Sequence, residues 1–208
     1  VLQVPLNAKG RPTFKLGLLA EANNLLHEDA HEAMSDTVAT LGLARLVRDR
    51  APAVWNAMLQ TRSKSGALSI LSNSEVFCAT EKAFKQPSIL ATRISANPDN
   101  PSEVAVFDLS HDPAQYLNIS PEDLPGLLKA SPRPIRIIKA NQSPILVPHE
   151  LCHDGVAGHG QSMNELRDKV GAIREHPTFG VNVGRAVADR YPPFDAPAYV
   201  EQRIFEGF

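Results

Sequence analysis

From Phe14 to Arg50 the apolar residues recur at helical spacing. Leu16, Leu19 and Ala20 predict a short first helix, ended by Asn23-Asn24. Met34, Val38, Leu41 and the run from Ala44 to Val47 predict a longer one. Arg45, Arg48 and Arg50 fall near its end, where basic side chains suit the negative pole of a helix. Pro52 stops that helix and can open the next, which carries Val54, Trp55, Met58 and Leu59. At Ser65-Gly66 the pattern changes to short β-rich runs: Ala67–Leu71, Val76–Ala79, Ser88–Ile94, Glu103–Leu109 and Pro134–Lys139. Turn-forming clusters such as Asn97-Pro98-Asp99-Asn100-Pro101 separate them. Ser120-Pro121-Glu122-Asp123 predicts a capping box opening a short helix through Leu127 and Leu128. Ser162 with Glu165 predicts a second, ahead of Leu166, Val170 and Ile173. One further helix is expected within Gly180–Tyr191, and Pro192-Pro193 reads as a linker. The class is α+β, with five or so short strands and an inserted helix suggesting a small barrel.

Composition adds bounds. The 208 residues are 43% hydrophobic and 21% charged, which suffices for one or two domains with real cores. A formal net charge of -2 excludes a molecule-wide basic field, so a nucleic-acid site has to be a local patch. Cys78 and Cys152 sit far apart in sequence and make no disulfide framework. Reduced thiols in a cytoplasmic protein are the expectation. No apolar run approaches membrane-spanning length, and no partner membrane is expected. The chain starts at Val1 and ends inside a Tyr199–Phe208 stretch expected to be structured, as a piece of a longer protein would.

His31 and Asp36 bracket the start of the long helix. A carboxylate on a first helical turn can hold a magnesium ion, while a histidine in the preceding loop can deprotonate water. Alone, the pair reads equally as a surface residue and a helix-start acid. Its surroundings are more specific. Gly10-Arg11-Pro12-x-Phe14-Lys15-Leu16, Ala22-Asn23, His27, Ala30-His31-x-Ala33-Met34-x-Asp36, Ala39-Thr40 and Ala44-x-Leu46 follow one another in the order and spacing of the exodeoxyribonuclease I family, which the chain resembles. Asn97-Pro98-x-Asn100-Pro101 leading into Val104–Leu109 is similar to that family's strand after its Asn-Pro turn. Pro134-Ile135 with Asn141-x-x-Pro144-Ile145-Leu146 is similar to a later segment, and Tyr199–Phe208 to the start of its helical carboxyl-terminal domain.

The resemblance implies the carboxyl-terminal portion of a nuclease that hydrolyses single-stranded DNA from its 3′ end in repair and recombination. It implies residues 1–51 as the last helices of a ribonuclease-H-like exonuclease domain. An SH3-like small β-barrel with helical insertions would follow over 52–198, then the start of a helical domain at 199–208. His31 matches the general base and Asp36 the last of four metal-binding carboxylates. The other three are expected upstream, so a two-metal Mg2+ site needs a segment this chain lacks, and the chain alone is expected to be inactive. Single-stranded DNA is the implied substrate, and the tail of single-strand DNA-binding protein an implied partner.

Two other readings stay open. His-Glu-x-x-His occurs twice, at His27–His31 and at His149-Glu150-Leu151-Cys152-His153, with His159 at the spacing of a third zinc ligand. Against a zinc peptidase, Pro144 and Pro148 leave His149 on a fraying first turn, Asp154-Gly155 ends any helix, and Val156 stands where the extended pattern needs glycine. A non-catalytic DNA-binding or protein-docking module is the other. Arg62 and Lys64 after the Trp55 helix, Lys82 and Lys85 beside Phe84, and Arg133, Arg136 and Lys139 along one expected strand are candidate backbone contacts. Arg62, Lys64, Arg136 and Lys139 are the expected DNA-binding set, each also readable as an ordinary solvated side chain.

Overall fold

In the computed structural model, residues 2–25, 33–80, 88–152, 154–156 and 158–191 are described. The strands form one sheet in the order β4-β3-β2-β1-β5 (β1 Phe77–Thr80, β2 Ile89–Ala96, β3 Glu103–Asp108, β4 Ile135–Lys139, β5 Ile145–Pro148). Two compact units divide the chain, and β2 contains the point of division. No helix among the described residues is long and apolar enough to cross a membrane.

The first unit comprises Val1–Leu90 and Ala140–His159. Its helices are α1 (Leu16–Ala22), α2 (Ala33–Arg50), α3 (Pro52–Gln60) and α4 (Lys64–Asn73). Asn23 ends α1 as expected, and its amide explains why. Nδ2 donates to Leu19 O and Gln3 O, both at 2.8 Å, while Oδ1 accepts from Gln3 N, so one side chain closes the helix and holds the incoming chain at Gln3. Pro52 occupies the first turn of α3, where its missing N–H costs nothing. The expected strand over Ala67–Leu71 is instead helix α4. Ser63 Oγ accepts from Gly66 N at 3.1 Å, and a Cβ on Gly66 would lie 1.8 Å from Gln60 O, so Gly66 lets two turns of chain meet. The apolar run was too short to separate the two periods, and the cap decides for helix. β1 pairs antiparallel with β5, Cys78 opposite Val147. The sequence reading gave β5 no strand. Pro144 and Pro148 mask it, and proline is tolerated there because β5 lies at the sheet edge.

The second unit comprises Ala91–Lys139 and Gly160–Phe208. All six residues of β3 are buried, and it pairs antiparallel with β2 and β4. A bulge between Arg93 and Ser95 shifts the β2 register. Helix α6 (Met163–Glu175) opens on the expected capping box, Ser162 Oγ accepting from Glu165 N and Glu165 Oε2 accepting from Ser162 N. It buries Leu166, Val170 and Ile173. Gln161 Nε2 and Lys169 Nζ both donate to Leu109 O, at 3.0 and 2.7 Å, which ties α6 to the end of β3. Helix α7 (Phe179–Ala188) is capped by the preceding histidine, Phe179 N donating to His176 Nδ1 at 3.1 Å. Its Gly184 lies against Ala96 O, where a Cβ would stand 3.2 Å away. The short helix α5 (Leu124–Leu127) forms without the expected box: Ser120 Oγ donates to the Asp123 carboxylate, and no side chain caps the backbone.

Candidate functional site

Asp36 lies in the first turn of α2 and is half-buried. A carboxylate there is favoured by the positive pole of the helix and kept within reach of an outside ion. Thr37 and Thr40 turn their hydroxyls back to Ala33 O and Asp36 O, at 2.7 and 2.8 Å, so neither competes for the carboxylate. Asp36, Thr37, Thr40, Leu41 and Ala44 line an open concavity of about 420 Å³. The rest of α2 is unusual. Of its 18 residues only Ala39 is buried, while Met34, Val38 and Leu41 are 69, 52 and 48% exposed. His31, with His27 and Glu28, lies outside the described residues.

Among the described residues no group of three His, Cys, Asp or Glu side chains could hold a metal ion. Asp36 is one carboxylate, and a two-metal site needs several. The described part of the chain therefore does not fit the pair of ions by itself.

The second His-Glu-x-x-His string does not form a peptidase helix. His149–Leu151 is a single 3-10 turn, and Cys152 is extended at φ -64° and ψ 144°. Ligands four residues apart share a face only on a continuous α-helix, so the spacing loses its meaning here. Glu150 Oε1 instead pairs with His149 Nδ1 at 3.0 Å. His153 lies outside the described residues. Cys78 and Cys152, distant in sequence, come together: burial pushes both thiols up, and each hydrogen-bonds with the other.

The basic candidates separate sharply. Arg62 and Lys64 are exposed and flank Ser63, the cap of α4. Lys82 and Lys85 lie outside the described residues. Arg136 and Lys139 are three apart on β4, and alternation sends them to opposite faces, so they cannot line one surface. Arg136 is buried and its Nη2 reaches Asp108 Oδ2 at 3.3 Å; Asp108 Oδ1 also accepts from Ser110 N and Oγ. That guanidinium neutralises a buried acid. Lys139 keeps 37% side-chain exposure while its Nζ lies 3.3 Å from Glu103 Oε1.

Glu103 is the centre of a cluster that the sequence reading missed. It is 4% exposed, and Oε2 accepts from Asn97 Nδ2 at 3.2 Å and Arg190 Nη2 at 3.0 Å. Burial pushes its carboxyl up, but Asn97, Lys139 and Arg190 together outweigh that and hold it below the usual carboxylate range. The exposed Tyr191 ring follows, with Arg190 Cζ 5.1 Å and Lys139 Nζ 5.9 Å from its centroid. The signal was present in the sequence: acids at both ends of an otherwise apolar strand, Glu103 and Asp108, demand cations.

No protein-family model matches the chain. It is similar to exodeoxyribonuclease I of Escherichia coli, 23% identical over 218 residues, covering 98% of this chain and 46% of that protein. The fold matches a crystal structure of the Escherichia coli exonuclease I in complex with a dA16 oligonucleotide, at a TM-score of 0.75 and 22% identity. That match covers 100% of this chain and 47% of the other. A solved ExoI/SSB-Ct complex matches at a TM-score of 0.72 and 21% identity, over 98% of this chain and 47% of the other. The chain thus spans about half the length of the proteins it matches.

Proposed function

We propose that this chain is the carboxyl-terminal portion of an exodeoxyribonuclease I, a 3′→5′ exonuclease that hydrolyses single-stranded DNA in repair and recombination and works with magnesium. The observation that carries the reading is the resemblance over 98% of the chain together with Asp36 on the first turn of α2, beside an open concavity. In this reading residues 1–51 end the exonuclease domain, 52–198 form the SH3-like barrel domain with its helices, and 199–208 begin a helical domain. Asp36 supplies one metal-binding carboxylate and His31 the general base, the remaining carboxylates coming from an upstream half. The bare apolar stripe of α2 supports this, because exposed apolar rows of that kind mark protein contacts. Arg62 and Lys64 have the exposure that phosphate contacts require, and Lys139 has part of it. The tail of single-strand DNA-binding protein is a partner on the same footing, since a solved complex of a structural neighbour contains SSB-Ct.

The test is direct. The purified 208-residue chain is incubated with magnesium and a 3′-labelled oligonucleotide, and released nucleotide is measured. No release is expected, because one carboxylate does not make the metal site. Release that tracks the pure protein and is lost in Asp36→Ala contradicts the claim that an upstream half is required.

A further inference from the structure

Outside α2, the end of α7 gathers unlike groups at the surface. An exposed tyrosine, a buried carboxylate and two partly exposed cations meet there. We propose that Tyr191, flanked by Arg190 and Lys139 on the buried Glu103, is a platform on which an unpaired base of single-stranded DNA stacks while the two cations take the neighbouring phosphates. The proposal rests on the reading of the chain as part of a single-strand nuclease and adds a binding site to it.

Three observations carry it. First, Tyr191 is 58% exposed with Arg190 and Lys139 over its ring, so ring and cations together present a surface that a ligand can reach. Second, the cations are fixed in advance. Arg190 Nη2 lies 3.0 Å from Glu103 Oε2 and its Nε donates to Val187 O at 3.3 Å, while Lys139 Nζ lies 3.3 Å from Glu103 Oε1. Ordering long side chains before binding removes an entropy cost that association otherwise carries. Third, the charge is of the right sign for a polyanion. Lys139 and Arg190 are two cations against one carboxylate, Glu103, which leaves one net positive charge in the cluster at the ring. A duplex hides its base faces, so an aromatic platform selects the single strand, with little preference for sequence.

Binding of a fluorescein-labelled oligothymidylate of about 16 nucleotides to the 208-residue chain, followed by anisotropy at low salt, tests the site. Tyr191→Ala is expected to weaken binding by about tenfold, and Tyr191→Phe, which keeps the ring and loses the hydroxyl, to stay within about twofold. Lys139→Gln should reduce the slope of log affinity against log salt by about one. Thermal melting of both tyrosine variants should match the parent, because the ring is exposed. A parent that binds while Tyr191→Ala binds equally well overturns the platform and leaves the nuclease reading standing. Weakening in Tyr191→Phe equal to that in Tyr191→Ala also overturns it, because the hydroxyl rather than the ring is then the contact. A parent that binds no single strand overturns the platform and removes DNA binding from this portion of the nuclease.

Discussion

Helix α2 and strand β3 both carry a row of apolar residues, yet those rows end in opposite places. β3 buries all six of its residues, including the acids at its ends, and Arg136 and Arg190 come to meet those acids. α2 buries one residue in eighteen and leaves Met34, Val38 and Leu41 open. The difference teaches that periodicity reports what a segment can bury, while the neighbours available decide what it does bury. In the second unit the partners of β3 lie within the chain. The stripe on α2 is left about half exposed or more by the described residues.

The contrast can be broken most strongly in the core. Phe107→Ala, at a fully buried position of β3, should cost about 3–5 kcal/mol in urea unfolding. Next, Glu103→Gln should cost roughly 3 kcal/mol, because it leaves Arg190 without a counter-charge. The parent should also show the corresponding pH dependence. The folded carboxyl of Glu103 sits below its ordinary value, so its contribution is present above the usual carboxylate range and is lost as pH falls through the lower folded value. Glu103→Gln should flatten that acid limb, and an unchanged limb in unfolding scans would place the sensitivity elsewhere. The smallest effect belongs to α2: Leu41→Ser should change stability by less than about 0.5 kcal/mol. A loss near that of Phe107→Ala would show the stripe to be buried in this chain and would end the comparison.

Much of this fold was legible. Asn23, Pro52 and the Ser162–Glu165 box each carry a local mechanism that acts within one or two turns, and each element begins or ends where that mechanism says. α4 was misread because Ala67–Leu71 is too short to distinguish periods. β5 was missed because its flanking prolines look like breaks until the edge position is known. At the site, Asp36 was placed correctly on its helix turn by the sequence alone. The cluster at Glu103 was not found, because Asn97, Glu103, Lys139 and Arg190 are assembled by pairing and packing across long stretches of chain. Opposite faces for Arg136 and Lys139 also follow only once the β4 register is known.

The central claim is that this chain completes a nuclease site with Asp36 and His31, and one measurement addresses it most directly. A protein carrying this chain behind an upstream nuclease half is assayed under single-turnover conditions for release of 3′ nucleotides from single-stranded DNA, with and without His31→Ala and Asp36→Ala. His31→Ala should lower turnover by about a hundredfold or more with magnesium affinity unchanged. Asp36→Ala should lose turnover and raise the magnesium concentration required. Near-parental rates in both variants would mean that neither residue serves the reaction, and would contradict the account.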